Sequence, residues 1–183
     1  MNQPPPALVR LVRAIERFTD WSGAIVAWLT VPLIAAVGYE VVARYAFDAP
    51  TIWAYDSIYM LYAALFMLGA AYALRTGAHI RTDFFRENWP LRTRAAIEAV
   101  AYAGFFFPGM LLFLVAGAEA AWSAYLLDER SAETSWFPPL WPLKAVVPLS
   151  ALLLLVQGVA ELAKSVHAWR TGEDFEPPRE RAP

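Results

Sequence analysis

Charged side chains along this chain gather in clusters, and the stretches between them are apolar for about the thickness of a bilayer's hydrocarbon core. Trp21 to Val42 holds 22 residues with no charge before Glu40. Ser57 to Leu74 gives 18 uncharged residues without proline, Ala99 to Ala118 gives 20, and Ala145 to Ala160 gives 16. About 20 residues of helix span the hydrocarbon, so each of the first three runs predicts a transmembrane helix. The fourth is short, but Lys144 and Glu161 at its ends can reach outward to headgroups and lengthen the usable span. Spans are expected at about 21–43, 54–75, 96–121 and 143–163, inside a transmembrane domain over 19–164. Pro32, Pro108 and Pro148 lie inside spans, where kinks are expected.

Ahead of the first span, Leu8, Leu11, Val12, Ile15 and Phe18 recur at helical spacing, with Arg10, Arg13 and Arg17 largely on the other side. Residues 1–18 therefore read as a tail and an amphipathic interfacial helix. A cleaved signal peptide would have a shorter apolar core of about 7–15 residues. The end segments Met1 to Pro6 and Glu173 to Pro183 are rich in proline and charge, and 165–183 reads as a disordered tail. No duplication of helix pairs is evident.

Composition agrees with this pattern. The chain is 58% hydrophobic and 17% charged, which a soluble domain rarely matches. Orientation follows from the basic residues. Arg10, Arg13, Arg17, Arg75, Arg81, Arg86, Arg92, Arg94, Lys164, Arg170, Arg179 and Arg181 belong to one side, and only Arg44, Arg130 and Lys144 to the other. By the positive-inside rule both termini face the cytoplasm. Tryptophans at 21, 53, 89, 122, 136, 141 and 169 fall at or just outside the expected ends, where an amphipathic ring prefers the headgroup layer. The fold class is thus an all-α integral membrane protein with four transmembrane helices.

Chemistry is sparse. Cysteine is absent, which excludes disulfides, thiolate metal sites and cysteine nucleophiles. There is no phosphate loop, GxSxG elbow or HExxH motif, and His79 and His167 both lie outside the expected spans, so haem, metal and other cofactors are not expected. Glu40 and Arg44 stand four residues apart, acid first, in the favoured order for a same-helix ion pair. A coupling carboxylate and a structural pair are both open readings, and proximity to the interface favours the second. The turn Tyr45 to Trp53, containing Pro50, makes the first two spans antiparallel neighbours, and Asp56 follows in a first helical turn, where the helix dipole favours an acid. Gly69, Ala70 and Ala71 offer small surfaces for helix approach, beside an aromatic stripe of Tyr55, Tyr59, Tyr62 and Phe66. The densest polar segment contains Arg75, Gly77, His79, Arg81 and Asp83. Gly77 can end the helix, Arg75 can complement its dipole, and His79 beside one acid is a weak metal signal. Glu98, Glu119 and Glu161 are placed within about a turn of a span boundary.

These residues resemble a known family. The pattern Glu40-xxx-Arg44-Tyr45-x-Phe47-xx-Pro50-xx-Trp53-xx-Asp56, then Leu68-Gly69-Ala70-Ala71-Tyr72-Ala73-Leu74-Arg75-x-Gly77-Ala78-His79-Ile80-xx-Asp83, is similar to the small permease subunit of tripartite ATP-independent periplasmic (TRAP) transporters, the DctQ-like proteins. Position 56 looks like one where that family often has Glu. The stretches Pro139 to Pro148 and Leu154 to Glu161 look like a branch labelled for mannitol or chloroaromatic compounds. The resemblance implies a multi-pass protein of the bacterial inner membrane, not an enzyme, packed as a scaffold against a larger sodium-coupled elevator subunit. It further implies a periplasmic substrate-binding protein that delivers an organic acid, with membrane lipids as further partners and no nucleic acid. On this resemblance Glu40, Arg44, Trp53 and Asp56 organise the outer end and Arg75, His79 and Asp83 the inner end. The acidic loop with Asp128, Glu129 and Glu133 is a candidate docking surface for the binding protein. Two rivals stay open: a stand-alone four-helix proton-coupled exporter using Glu40, and an anchor subunit of a membrane enzyme.

Overall fold

A computed structural model describes residues 4–77 and 89–175. Its elements are α1 (Pro6–Ala27), α2 (Thr30–Ala46), α3 (Ala54–Thr76), α4 (Leu91–Ala101), a π-helical turn (Tyr102–Phe106), α5 (Phe107–Leu126) and α6 (Trp141–Thr171). No strand occurs among the described residues. Among the described residues four helical units are long and apolar enough to cross a membrane: Pro6–Ala46, Ala54–Thr76, Leu91–Leu126 and Trp141–Thr171.

The helix interruptions have backbone causes. Pro32 lacks an N–H, so the carbonyl of Trp28 loses its usual donor four residues on. Instead Val31 N–H donates to Trp28 O at 3.1 Å, and Leu29 N–H to Val26 O at 2.9 Å, a tight three-residue spacing that separates α1 from α2. Before Pro108 the chain widens into the π turn at Tyr102–Phe106, one way of accommodating a missing donor inside a helix. At Pro148, α6 continues without a break. Gly77 and Gly172 end α3 and α6 in the left-handed conformation, with φ of 70° and 74°, which glycine adopts without a Cβ penalty.

Several element ends differ from those expected. The interfacial helix does not stop near residue 18: α1 runs on to Ala27 and packs along α3 and α6. Its Val12, Glu16 and Thr19 are buried, and Gln157 and Lys164 of α6 supply the partners that let Thr19 and Glu16 leave water. The third unit begins at Leu91 and ends at Leu126, beyond both expected ends. The fourth continues past residue 163 to Thr171, because Lys164, Ser165 and His167 turn inward and are not left to water. At 31 residues it is roughly 46 Å long, more than the hydrocarbon core of about 30 Å, so it projects past the bilayer core. The remaining residues of the expected tails, 1–3 and 176–183, lie outside the described residues.

α6 is the centre of the bundle, in contact with α1, α3, α4 and α5. One third of its apolar window is buried (33%), against 6–11% for the other three units, which therefore present most of their surface outward. Small residues set the helix spacing. A Cβ on Gly117 of α5 would come within 3.0 Å of both Pro148 Cδ and Val147 Cγ1 and 3.2 Å of Pro148 N. A Cβ on Gly158 would meet the Phe106 ring of the π turn at 2.5 Å. Ser150 Oγ donates to the Met67 carbonyl at 2.7 Å and ties α6 to α3. The bundle is held by close backbone approach, since lipid supplies no hydrophobic drive between helices.

Gly117→Leu should therefore push α5 from α6 and destabilise the fold by about 1–3 kcal/mol, read as a lower melting temperature in detergent. Gly109→Leu, where an added Cβ meets nothing within 4 Å, should leave that temperature nearly unchanged.

Candidate functional site

Two polar clusters stand at opposite ends of the bundle. At the end away from the termini, Glu40 on α2 accepts from Arg44 Nε at 2.9 Å and from Arg44 Nη2 through Oε1. Its Oε2 accepts from the backbone N–H of Thr51 at 3.1 Å and from the Thr51 hydroxyl. Thr51 Oγ1 in turn accepts from Ala54 N–H at 3.3 Å, at the start of α3. One carboxylate thus fastens the end of α2 to the beginning of α3. The rings of Tyr39 and Trp53 pack at 5.6 Å across the same turn. Tyr45 points outward, 81% exposed, and Pro50 lies in the exposed turn.

Asp56 does more than occupy a helix N-terminus. It is fully buried and accepts from Ser131 Oγ at 2.7 Å through Oδ1 and from the Thr134 hydroxyl through Oδ2. Both hydroxyls belong to the 127–140 connection between α5 and α6. Ser131 Oγ also accepts from Glu133 N–H, and Thr134 Oγ1 from Trp136 N–H, each at 3.3 Å. Backbone bonds from Ser131 N to Pro138 O and from Leu140 N to Glu129 O, both 2.9 Å, close the connection on itself. Asp56 is its anchor to α3.

Of the acids considered for docking, Asp128 forms a two-pronged pair with Arg130, and Glu129 pairs with Lys144 on α6. Glu133 is exposed. The loop therefore carries less free negative charge than its composition suggests.

At the termini end a buried chain of polar groups joins α1 to α6. Thr19 Oγ1 donates to Gln157 Oε1 at 2.8 Å, and Gln157 Nε2 donates to Glu161 Oε1 at 2.8 Å. Lys164 Nζ bridges Glu161, at 3.2 Å, and the buried Glu16 of α1. Glu161, expected to reach toward headgroups, turns inward because Lys164 and Gln157 offer it partners there. Beside this chain Arg75 on α3 forms an ion pair with Asp20 on α1, so its partner is a side chain and not only the helix dipole. Ser165 Oγ donates to Glu98 Oε2 at 3.3 Å, and Arg92 Nη2 donates to the Thr171 carbonyl at the end of α6.

Gly69 has open space around its Cβ position and lines a 450 Å³ groove between α1 and α3 with Gly23 and Tyr72. Close approach falls to Gly23, where a Cβ would meet the Tyr72 ring at 2.8 Å. His79 and Asp83 lie outside the described residues. Glu119 stands seven residues before the end of α5 on an exposed face, deeper than expected because the helix continues to Leu126.

Sequence reasoning missed the Glu16, Thr19, Gln157, Glu161 and Lys164 chain and the pairing of Asp56 with Ser131 and Thr134. A signal existed for the first: Gln157, Glu161 and Lys164 are spaced to share a face of one helix. Nothing in the sequence indicated that α1 would supply Glu16 and Thr19 to that face.

No group of three or more His, Asp or Glu among the described residues could hold a metal. The sequence matches the family described as tripartite ATP-independent periplasmic transporters, DctQ component, over residues 33–168, well over half of the 183 residues. The chain belongs to the DctQ family. It is the small membrane subunit of a TRAP transporter, a multi-pass membrane protein and not an enzyme, and the tripartite description of its family implies a large membrane subunit and a binding protein as its partners. No curated protein matches it. The Glu40 turn and most of α6 fall within the matched range, whereas Glu16, Thr19 and Asp20 precede it.

In this DctQ protein the two clusters make distinct demands. Lys164→Met leaves Glu16 and Glu161 facing one another and should cost about 3–5 kcal/mol, measured by denaturant titration in detergent micelles. Adding Glu16→Gln to it should recover part of the loss, because one of the stranded acids is removed. Asp56→Ala removes the acceptor of two hydroxyls, a loss of about 1–3 kcal/mol. It should make the 127–140 connection sensitive to protease before any helix is cut.

Proposed function

We propose that this subunit is the fixed scaffold of its transporter, oriented with both termini in the cytoplasm of a bacterial cell and seated in the inner membrane. The larger subunit carries the sodium and substrate sites and moves against it. A periplasmic binding protein delivers an organic acid and docks at the end bearing Glu40, Asp56 and the 127–140 connection. The resemblance of Pro139 to Pro148 and Leu154 to Glu161 to a mannitol or chloroaromatic branch makes chloroaromatic acids the first compounds to assay, with the polyol mannitol as the alternative to an organic acid.

One observation carries the scaffold reading. The shielded or buried acids Glu16, Glu40, Asp56 and Glu161 each end on a partner within the chain. Acids spent on internal pairing hold helices together, whereas a conducting path needs polar groups that exchange partners during the cycle. The outward apolar surface of three of the four units suits packing against a larger membrane protein. Exposed Glu119, two turns inside the end of α5, suits contact with such a neighbour better than with lipid tails.

Reconstituted alone into liposomes, the chain should show no solute flux. Flux should appear only when the large subunit and the binding protein are supplied with a sodium gradient. Proton-driven efflux by the isolated chain would return the assignment to a small exporter.

Within the complex, Arg44→Ala should reduce co-purification with the large subunit by leaving Glu40 short of a counter-charge. Glu40→Gln should be milder, since its amide oxygen can still accept from Thr51. A fully assembled but transport-dead Glu40→Gln complex would instead make Glu40 a coupling group.

A further inference from the structure

A second groove, of 670 Å³, opens between the start of α1 and the last turns of α6 and, apart from the Thr171 carbonyl that accepts from Arg92, takes no part in the pairing described above. Its wall is apolar, from Leu8 on α1 and Val159, Leu162 and Val166 on α6, and it ends at His167 and Arg170. From Val159 to Arg170 the helix rises roughly 16 Å, passing from the inner end of the expected span toward the headgroup layer. Exposed Trp169, adjoining Arg170, is the kind of residue that sits at the headgroup layer.

Two groups at the His167 end of the groove lack partners among the described residues. His167 is more than nine-tenths buried, and its Nε2 has no hydrogen-bond partner. A buried nitrogen in that condition costs stability until something satisfies it. Arg170 is exposed and forms no ion pair among the described residues, although Glu173 and Asp174 follow closely in sequence. Phe175 packs against the imidazole with ring centroids 5.6 Å apart and ring planes at 89°.

The geometry points to a binding site for one anionic phospholipid, with an acyl chain along Leu8, Val159, Leu162 and Val166 and the phosphate at Arg170 and His167. An apolar groove that ends at an unsatisfied imidazole and at a cation with no ion pair among the described residues suits an acyl chain joined to an anionic headgroup better than a free anion or a polar solute. The site is independent of the scaffold reading, since it needs only that α1 and α6 lie in a membrane. It would fasten the start of α1, which precedes the family-matched region, to the bilayer and to α6.

The test is native mass spectrometry of the full chain, with its large subunit when the two co-purify, after incubation with equal amounts of phosphatidylglycerol and phosphatidylcholine. One phosphatidylglycerol should be retained in preference. Arg170→Gln should lower that retention roughly fivefold, the effect of about one basic residue at a membrane surface. Val166→Trp, which fills the groove, should abolish retention of either lipid. Equal binding of the two lipids by the unaltered chain would overturn the site, as would wild-type retention by Arg170→Gln. Displacement of the lipid by inorganic phosphate alone would assign the pocket to a free anion and also overturn it. So would loss of the large subunit from Val166→Trp with lipid still bound, because the groove would then hold protein.

Discussion

Every charged group placed inside a lipid-embedded bundle has to find its partner in the protein, because the hydrocarbon offers neither water nor counter-ions. The arrangement of α6 follows from that constraint. Gln157, Glu161 and Lys164 would be intolerable on a lipid-facing side, so this side must be covered, and α1 covers it with Thr19 and Glu16. Once α1 is held there, Asp20 meets Arg75 of α3 and Gly23 meets the Tyr72 ring. Three of the four spanning units are thereby positioned by a single connected set of polar and close contacts.

The opposite end solves the same problem with connections and not with helix faces. Glu40 is neutralised by Arg44 one turn along, then used again to hold Thr51, while Asp56 gathers the hydroxyls of Ser131 and Thr134. In both cases a carboxylate organises a stretch of backbone that would otherwise present unpaired groups at a membrane boundary. A rigid end of this kind is a suitable platform for another subunit, because little ordering entropy is left to be lost on docking.

Proline and glycine divide the remaining work between local and tertiary effects. Pro32 separates α1 from α2 by removing one donor, and the π turn ahead of Pro108 absorbs a similar loss. Pro148 leaves α6 unbroken, and its ring instead lies against Gly117 of α5. The same residue type thus acts as a break or as a packing surface according to what stands opposite it.

Hydrophobic run lengths alone determined that four helical units cross the membrane, since the cost of leaving a charge or a bare peptide group in hydrocarbon depends on composition and length and hardly on neighbours. The left-handed stop at Gly77 and the four-residue spacing of Glu40 and Arg44 were equally legible, being properties of a single helix. Only the tertiary structure decided that the amphipathic start would join the bundle, that Glu161 would turn inward, and that Asp56 would bind a connection 75 residues away. Those outcomes depend on which faces meet, and a pattern along one helix specifies a face without specifying the partner that covers it.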